Sequence, residues 1–388
     1  MCNPPMIRLA LILCLAGCAT TSSSGSSPPS EAKPSKTADA QPQKLAITNV
    51  IPFDVAACAP RPLTLMPMSA EVLTGAMLSM SPATQECFVD LQARDGQTFD
   101  LKAKATVAES GVTIEVSGLG ASASGKACVE AAFKKLPLVA LSAGSKPVIA
   151  EIPVRGGPQT VRLGDNAAND IAGKLRLAQP SMCECYAKLG SKPVPMLKAE
   201  IEVGAEGAKV NLGSTDELAA CLTPQMQALP LGNAATKMTW PLLLKNSYSD
   251  QVDASAPAAL RFQQLDGMRA QRTSDVLIAT GQRDFAALTF DALAQSYKKK
   301  PAKGMLEELK VKCADVAAGD DKQLAAVKGL VAVLEDSQKL VAAEKAKDPQ
   351  WAQVEPMLAQ ALTTSTAEVV RIEGQKKNDL NACPKTKF

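Results

Sequence analysis

The sequence predicts an α+β protein: two tandem small α/β units, each ordered helix, strand, strand, helix, strand, followed by an all-α helical domain. Three observations predict it. Four blocks of residues recur in the same order across residues 51–250. Within each copy the hydrophobic period switches from helical to alternating and back. Beyond Tyr248 the alternation disappears and apolar residues return at helical spacing. The expected boundaries are a leader at 1–17, a tether at 18–50, the first unit at 51–157, the second at 158–250, and the helical domain at 254–388.

Residues 9–15 form an apolar run well short of the ~20 residues that span a bilayer, so the run reads as the core of a leader. Arg8 precedes it, and a start at Met6 instead of Met1 would give a more ordinary leader. The run closes on Leu15, Ala16, Gly17 and Cys18. A Leu, two small residues and Cys resembles the pattern of the lipoproteins cleaved by signal peptidase II. The resemblance implies loss of residues 1–17 and acylation of Cys18, palmitate among the chains. Three chains at ~0.8 kcal/mol per buried methylene would make a lasting anchor. Ala19 stands where Asp marks inner-membrane retention in that family, which implies the outer membrane, facing the periplasm or the cell surface. An ordinary secretory leader cut nearby is the other reading. Residues 19–44 are Ser, Thr, Pro, Ala and Lys with almost no large apolar side chain, so they read as a tether. As a flexible coil of about 26 residues its mean reach is roughly 30 Å.

Composition narrows the chemistry. There is no histidine, which removes Ser-His-Asp and Cys-His catalysis, histidine metal sites and histidine pH switching together. The formal net charge is only +3, which makes no electrostatic case for nucleic acid. Aromatic residues are 3% of the chain, so its cores must be built of Leu, Val, Ala and Met. Of eleven cysteines, two lie in the leader and Cys18 takes the lipid; the even remainder reads as disulfides in an oxidising compartment.

The recurring blocks run as follows. Cys87-Phe88 meets Cys185-Tyr186, and Pro82 meets Pro180. The alternating runs at 101–107 and 112–116, joined through Gly111, meet 197–203 and its continuation through Gly207; each pair reads as a β-hairpin. A second helix carries Cys128, Ala132 and Leu136 on one face and matches the stretch around Cys221 and Leu229. A final strand ends near Pro153 or Pro241. Such a unit lays two helices on one face of a small antiparallel sheet.

Cys-aromatic, a hairpin with a central glycine, and a helix Cys followed by Pro resembles the TonB C-terminal-like domain of the AgmX/PglI type. The matching positions are Cys87-Phe88, Gly111, Cys128 and Pro137, then Cys185-Tyr186, Gly207, Cys221 and Pro230. The departure is Leu-Pro, at 136–137 and 229–230, where that family has Phe-Pro. The resemblance implies an envelope or motility protein that works by protein interaction. If the units are repeats, equivalent cysteines make equivalent bonds, Cys87 to Cys128 and Cys185 to Cys221. Loops of about 36 to 41 residues would be worth roughly 3 to 4 kcal/mol each. Cys58 and Cys183 remain and pair across the two units, with Cys183 to Cys221 as the rival bond.

Past residue 254, stripes at Ala259, Phe262, Leu265 and Met268, at Phe285, Leu288 and Ala292, at Leu324, Val327, Val331 and Leu334, and from Trp351 through Ile372 predict about five helices in a bundle. Pro301 and Asp348-Pro349 read as helix starts. Cys313 bonded to Cys383 would pin the C-terminal tail.

Several motifs invite chemistry and have plainer readings. Residues 120–127 nearly match a phosphate-binding loop, but Ala127 stands at the magnesium-binding Ser/Thr position and the second unit has no equivalent. Met66, Met68, Met77, Met80, Met182 and Met196 with Cys183 and Cys185 suggest a soft copper site, yet methionine also fills cores poor in aromatics. Ser296 and Lys299 have acylase spacing without its companion motifs, and Lys298, Lys299 and Lys300 read as a solvated helix end. No catalytic residue, metal site, cofactor or small-molecule substrate is expected. The expected partners are the membrane, through the lipid, and an envelope protein. The sheet edge expected to accept its strand is the last strand of each unit: Ile149, Ala150, Glu151 and Ile152, and Lys237, Met238, Thr239 and Trp240. The alternatives are an assembly lipoprotein whose helical domain alone binds and, remotely, a copper carrier.

Overall fold

The computed structural model describes residues 52–89, 99–119, 123–156, 167–232 and 235–383. The protein is mixed α+β, with small sheets followed by an all-helical C-terminal region. The expected leader, Cys18 and the expected tether lie outside the described residues.

The first sheet has strand β2 (Phe99–Ala108) at its centre, β3 (Gly111–Leu119) on one side and β4 (Val148–Gly156) on the other, all antiparallel. β2 alternates cleanly: Leu101, Ala103, Ala105 and Val107 are wholly buried, while Asp100 and Lys102 face solvent. The β2–β3 turn closes on Gly111, whose φ of 127° an L side chain rarely adopts. Helices α1 (Ala70–Ser79), α2 (Ser81–Glu86) and α3 (Ala123–Phe133) accompany this sheet, and Val72, Leu73, Met77, Val129 and Phe133 join its core. Ser69 caps α1 by accepting from the Val72 amide at 3.2 Å.

The second sheet has the same strand order, with β5 (Leu197–Gly204) between β6 (Gly207–Asn211) and β7 (Thr236–Leu242). Its helices are α4 (Ala167–Ala178), the short α5 (Cys183–Tyr186) and α6 (Glu217–Gln227). Trp240, Tyr186, Leu175 and Leu222 fill its core. Pro153 sits opposite Lys102 in the first sheet, and Pro241 opposite Lys198 in the second.

Residues 53–58, expected with the first unit, pack in the second core. Strand β1 (Phe53–Asp54) runs parallel to β8 (Leu244–Lys245), and Phe53 stacks at 5.1 Å on Tyr186. Asp54 is 3% exposed and satisfied: it accepts from the Ala56 amide, from the Ser247 amide and hydroxyl, and lies 3.6 Å from Lys245 Nζ. These buried contacts outweigh proximity along the chain.

The C-terminal region has three long helices where about five were expected: α7 (Ala258–Lys299), α8 (Met305–Glu344) and α9 (Glu355–Ala382). The stripes at 259–268 and 285–292 belong to one continuous helix, α7. Gly267 and Gly281 do not interrupt it, because each lies where another segment presses close: Ser247 against Gly267, Ser69 and Val72 against Gly281. Pro301 falls in the α7–α8 turn and does not open the helix, which starts at Met305. Asp348 does act as a cap, for the short 3-10 helix Pro349–Gln353. The expected core stripe at Phe285 and Leu288 is exposed, 51% and 68%.

α7 is also the spine on which both sheets rest, so this region is no detached domain. The Gln264 side chain accepts from the Asn246 amide at 2.7 Å and donates to the Asn246 carbonyl, holding the residue that follows β8. Further along, Gln271 donates to Ser79 O at 3.2 Å and Ser274 to Gly75 O at 2.7 Å, holding α1. The three helices are pinned to one another by Arg283, which bridges Asp320 of α8 at 2.9 Å and Asp379 of α9. Burial pushes Asp320 above the usual carboxylate range, against the downward pull of Arg283.

Candidate interaction site

The eight cysteines fall in four bonded pairs: Cys58–Cys183, Cys87–Cys128, Cys185–Cys221 and Cys313–Cys383, with Cα separations of 5.1, 5.7, 5.7 and 5.8 Å. Cys87–Cys128 ties α2 to α3, and Cys185–Cys221 ties α5 to α6. Cys221 is therefore taken, and Cys183 holds the N-terminal strand to the second core.

A further link joins the two sheets and was not legible in the sequence. Arg176 of α4 makes a bidentate pair with Glu86 of α2 at 2.8 and 2.9 Å, and also donates to Pro52 O at 3.2 Å. Its guanidinium lies 5.3 Å from the centre of the Phe53 ring. The side chains are 5% and 14% exposed, so this is a fixed junction and not a surface pair.

The sheet edges decide what this protein can accept. In an antiparallel ladder each residue turns both backbone groups to one side, and the next residue turns them to the other. Pro153 has no N–H, and Arg155, two residues on, sends its carbonyl outward to Gln85 Nε2 at 3.1 Å. The outward groups of β4 are thus those of 149, 151, 153 and 155. Of these, Pro153 lacks a donor and Arg155 has its acceptor taken. β7 is closed similarly: Pro241 has no donor and its carbonyl accepts from the Leu243 amide at 3.0 Å. Both expected acceptor strands are edge strands, but each is open over only two outward residues, Ile149 and Glu151 or Lys237 and Thr239. By the same alternation Ala150 and Met238 bond to the central strand.

The opposite edges differ from each other. β6 spans five residues, Val210 on it is buried, and its outward carbonyl accepts from Gln227 Nε2 of α6 at 3.4 Å. β3 spans nine. Lys102 pairs with both Pro153 and Ser117; since Pro153 faces outward, Lys102 bonds to Ser117, which leaves Val112, Ile114 and Val116 facing out, the regular alternation ending at Gly118 with its φ of 119°. Among the described residues, no hydrogen bond from outside the sheet reaches these three. Their side chains share the face of Val107, Ala105 and Ala103, the helix-covered side. Val112 is 36% exposed, and Ile114 and Val116 are half-buried against the core. The sequence reading did not single out this edge. The available signal was the proline inside each final strand and its absence from 111–119.

The competing chemistries do not assemble. Of the phosphate-loop match, residues 120–122 lie outside the described residues, and 123–127 are the first turn of α3. The methionines are dispersed: Met77 and Met80 are buried in the first core, Met182 in the second, and Met66 is 58% exposed, while Cys183 and Cys185 are in disulfides. Among the described residues no group of three His, Cys, Asp or Glu side chains could hold a metal ion, and no helix is long and apolar enough to cross a membrane. The Ser296 hydroxyl is bonded to Ala292 O at 3.0 Å, back along its own helix. Comparison of the chain with protein-family models, with curated proteins and with solved structures returned no match.

Proposed function

We propose that this chain is a lipid-anchored, non-enzymatic interaction protein of the outer membrane, facing the periplasm, whose first sheet takes a strand from an envelope partner along β3. The observation that carries the reading is the contrast of edges. Three of four are short, interrupted by proline or capped by glutamine, and the fourth presents three successive outward positions that have no partner among the described residues. Backbone pairing there would supply affinity, and the exposed Val112 with the half-buried Ile114 and Val116 would supply an apolar surface for alternate partner side chains. Other support comes from the sequence. The two units read as tandem repeats resembling TonB C-terminal-like domains, Leu15 to Cys18 reads as a lipidation signal, and four disulfides suit an oxidising compartment.

The test is a photo-crosslinking side chain at Thr113, on the open face of β3, in the full chain in living cells. Ile114→Pro removes one outward donor and no ladder bond, so it should cost about 1 to 3 kcal/mol of stability, chiefly from the half-buried side chain, while abolishing the adduct. Ile149→Pro, on the interrupted edge, should leave the adduct in place. An adduct that survives Ile114→Pro and disappears in Ile149→Pro would return the site to β4.

A further inference from the structure

The second surface lies on α7 and stands apart from the β3 edge. Ser274, Ile278 and Gly281 form a seam with heptad spacing on which α1 lies antiparallel. Ser274 donates to Gly75 O at 2.7 Å and Ile278 enters the first core. A side chain at Gly75 would come within 2.8 Å of Ile278, and one at Gly281 would collide with Ser69 and Val72. Cover ends there, because Ser69 is the cap from which α1 begins. The seam does not end. The same alternation of three and four residues continues to Phe285, Leu288 and Ala292 on the same face, and all three are exposed. Met66, 58% exposed, lies beside its start: the Met66 carbonyl accepts from Gln282, one turn before Phe285.

The flanks of this bare seam are unequal. Asp284 and Asp291, a heptad apart, border one side; Gln282, Thr289 and Ser296 border the other. Asp284 contacts Arg283 at 3.2 Å yet is 56% exposed, and Asp291 has no ion pair among the described residues. In paired helices the residues flanking the seam select the partner. A second copy laid antiparallel would bring the aspartates of the two chains together.

We propose that Phe285, Leu288 and Ala292, with Met66, are the docking seam for one helix of a partner protein that is apolar at heptad positions and carries Lys or Arg opposite Asp284 and Asp291. The partner helix extends the line that α1 already occupies, so the established α1–α7 contact supplies one end of the groove. The seam is narrow, two apolar positions per heptad, which fits a single helix and not a lipid surface.

The probe is a synthetic three-heptad helix with Leu at the seam positions and Lys on both flanks, titrated into the full chain and followed by fluorescence anisotropy; its counterpart carries Glu on the flanks. The Lys helix should bind at least about tenfold more tightly than the Glu helix, a difference set by the flanking charges. Leu288→Glu should abolish binding with its melting temperature unchanged, since Leu288 is 68% exposed. Asp291→Lys should reverse the preference, and Ile114→Pro should change nothing, which separates this seam from the β3 edge. Absent binding of the Lys helix, or equal binding of both, overturns the proposal. So does concentration-dependent self-association that Leu288→Glu removes, because the occupant would then be a second copy.

Discussion

In the second sheet Gln227, six residues beyond Cys221, reaches the outward carbonyl of Val210 on β6. In the first, the residue six beyond Cys128 is Lys134, and it turns instead to Glu130 of its own helix at 3.9 Å. The two sheets share a strand order, a proline at one register and a helix-to-helix disulfide, yet one edge strand is short and capped and the other is long and, among the described residues, uncapped. Their supports differ in the same sense. The second sheet is enclosed by β1 and β8, by Phe53 on Tyr186 and by Cys58–Cys183, whereas the first leans on α7 through α1. A shared topology therefore does not set how closed a sheet is; a few side chains at its rim do. A proline or a capping glutamine blunts three of the four edge strands, and among the described residues β3 has neither.

The largest effect that would sharpen this contrast is on the enclosure of the second sheet. Replacing both Cys58 and Cys183 by Ser opens a loop with a sequence separation of 125. It should cost about 5 kcal/mol in the chain-entropy account. Amide exchange resolved by residue should show the loss in β5, β6 and β7 while β2 keeps its protection. An equal loss in both sheets would mean that the Arg176–Glu86 junction makes them one cooperative unit, and the contrast of supports would fail.

A smaller effect concerns α6, the helix that carries the capping glutamine. Asp216 accepts from the Ala219 amide at 2.7 Å and from the Ser214 hydroxyl at 2.8 Å. These bonds, the backbone one foremost, hold its carboxyl below its ordinary value of 3.8. A carboxyl lowered by folding contributes stability that is present above the ordinary value and is lost as the pH falls through the lowered one. Asp216→Ala should thus cost about 1 kcal/mol at neutral pH. The difference from the parent should close in acid below the carboxylate range. A difference that persists there would show that the cost is one of packing.

How much of this was legible follows the range of the interactions. The hairpins were readable because alternation and a turn glycine are local, and so were the helix cysteines, since the repeat sets their pairing. The long helices were over-divided because the apolar stripes at 259–268 and 285–292 read as separate helices, although both lie on the single helix α7. Phe285 and Leu288 looked like core for the same reason that Ile278 is core: period alone cannot say where α1 stops. The Arg176–Glu86 pair joins residues 90 apart, and no local pattern announces it. The β3 edge lay between these cases. Its length and lack of proline were visible, but its openness depended on which residues of β2 bond to which neighbour.

The smallest effects bear most directly on why the two edges differ. Gln227 is on the surface and its bond to Val210 O is long, 3.4 Å, so Gln227→Ala should cost a few tenths of a kcal/mol, below the ~1 kcal/mol of a good neutral hydrogen bond. What it should change is access: the Val210 carbonyl loses its only side-chain cap, and β6 acquires one open acceptor. Lys134→Gln makes the converse change, placing on α3 the amide that α6 uses, at the cost of a surface pair with Glu130 worth little. If the cap is what closes an edge, Lys134→Gln should slow exchange near Ile114, the register counterpart of Val210, and weaken crosslinking at Thr113. Gln227→Ala should produce no new adduct on β6, because that strand has five residues and a buried Val210 where β3 has nine and half-buried side chains. An adduct on β6 in Gln227→Ala would show that one amide, and not strand length, separates a closed sheet from an open one.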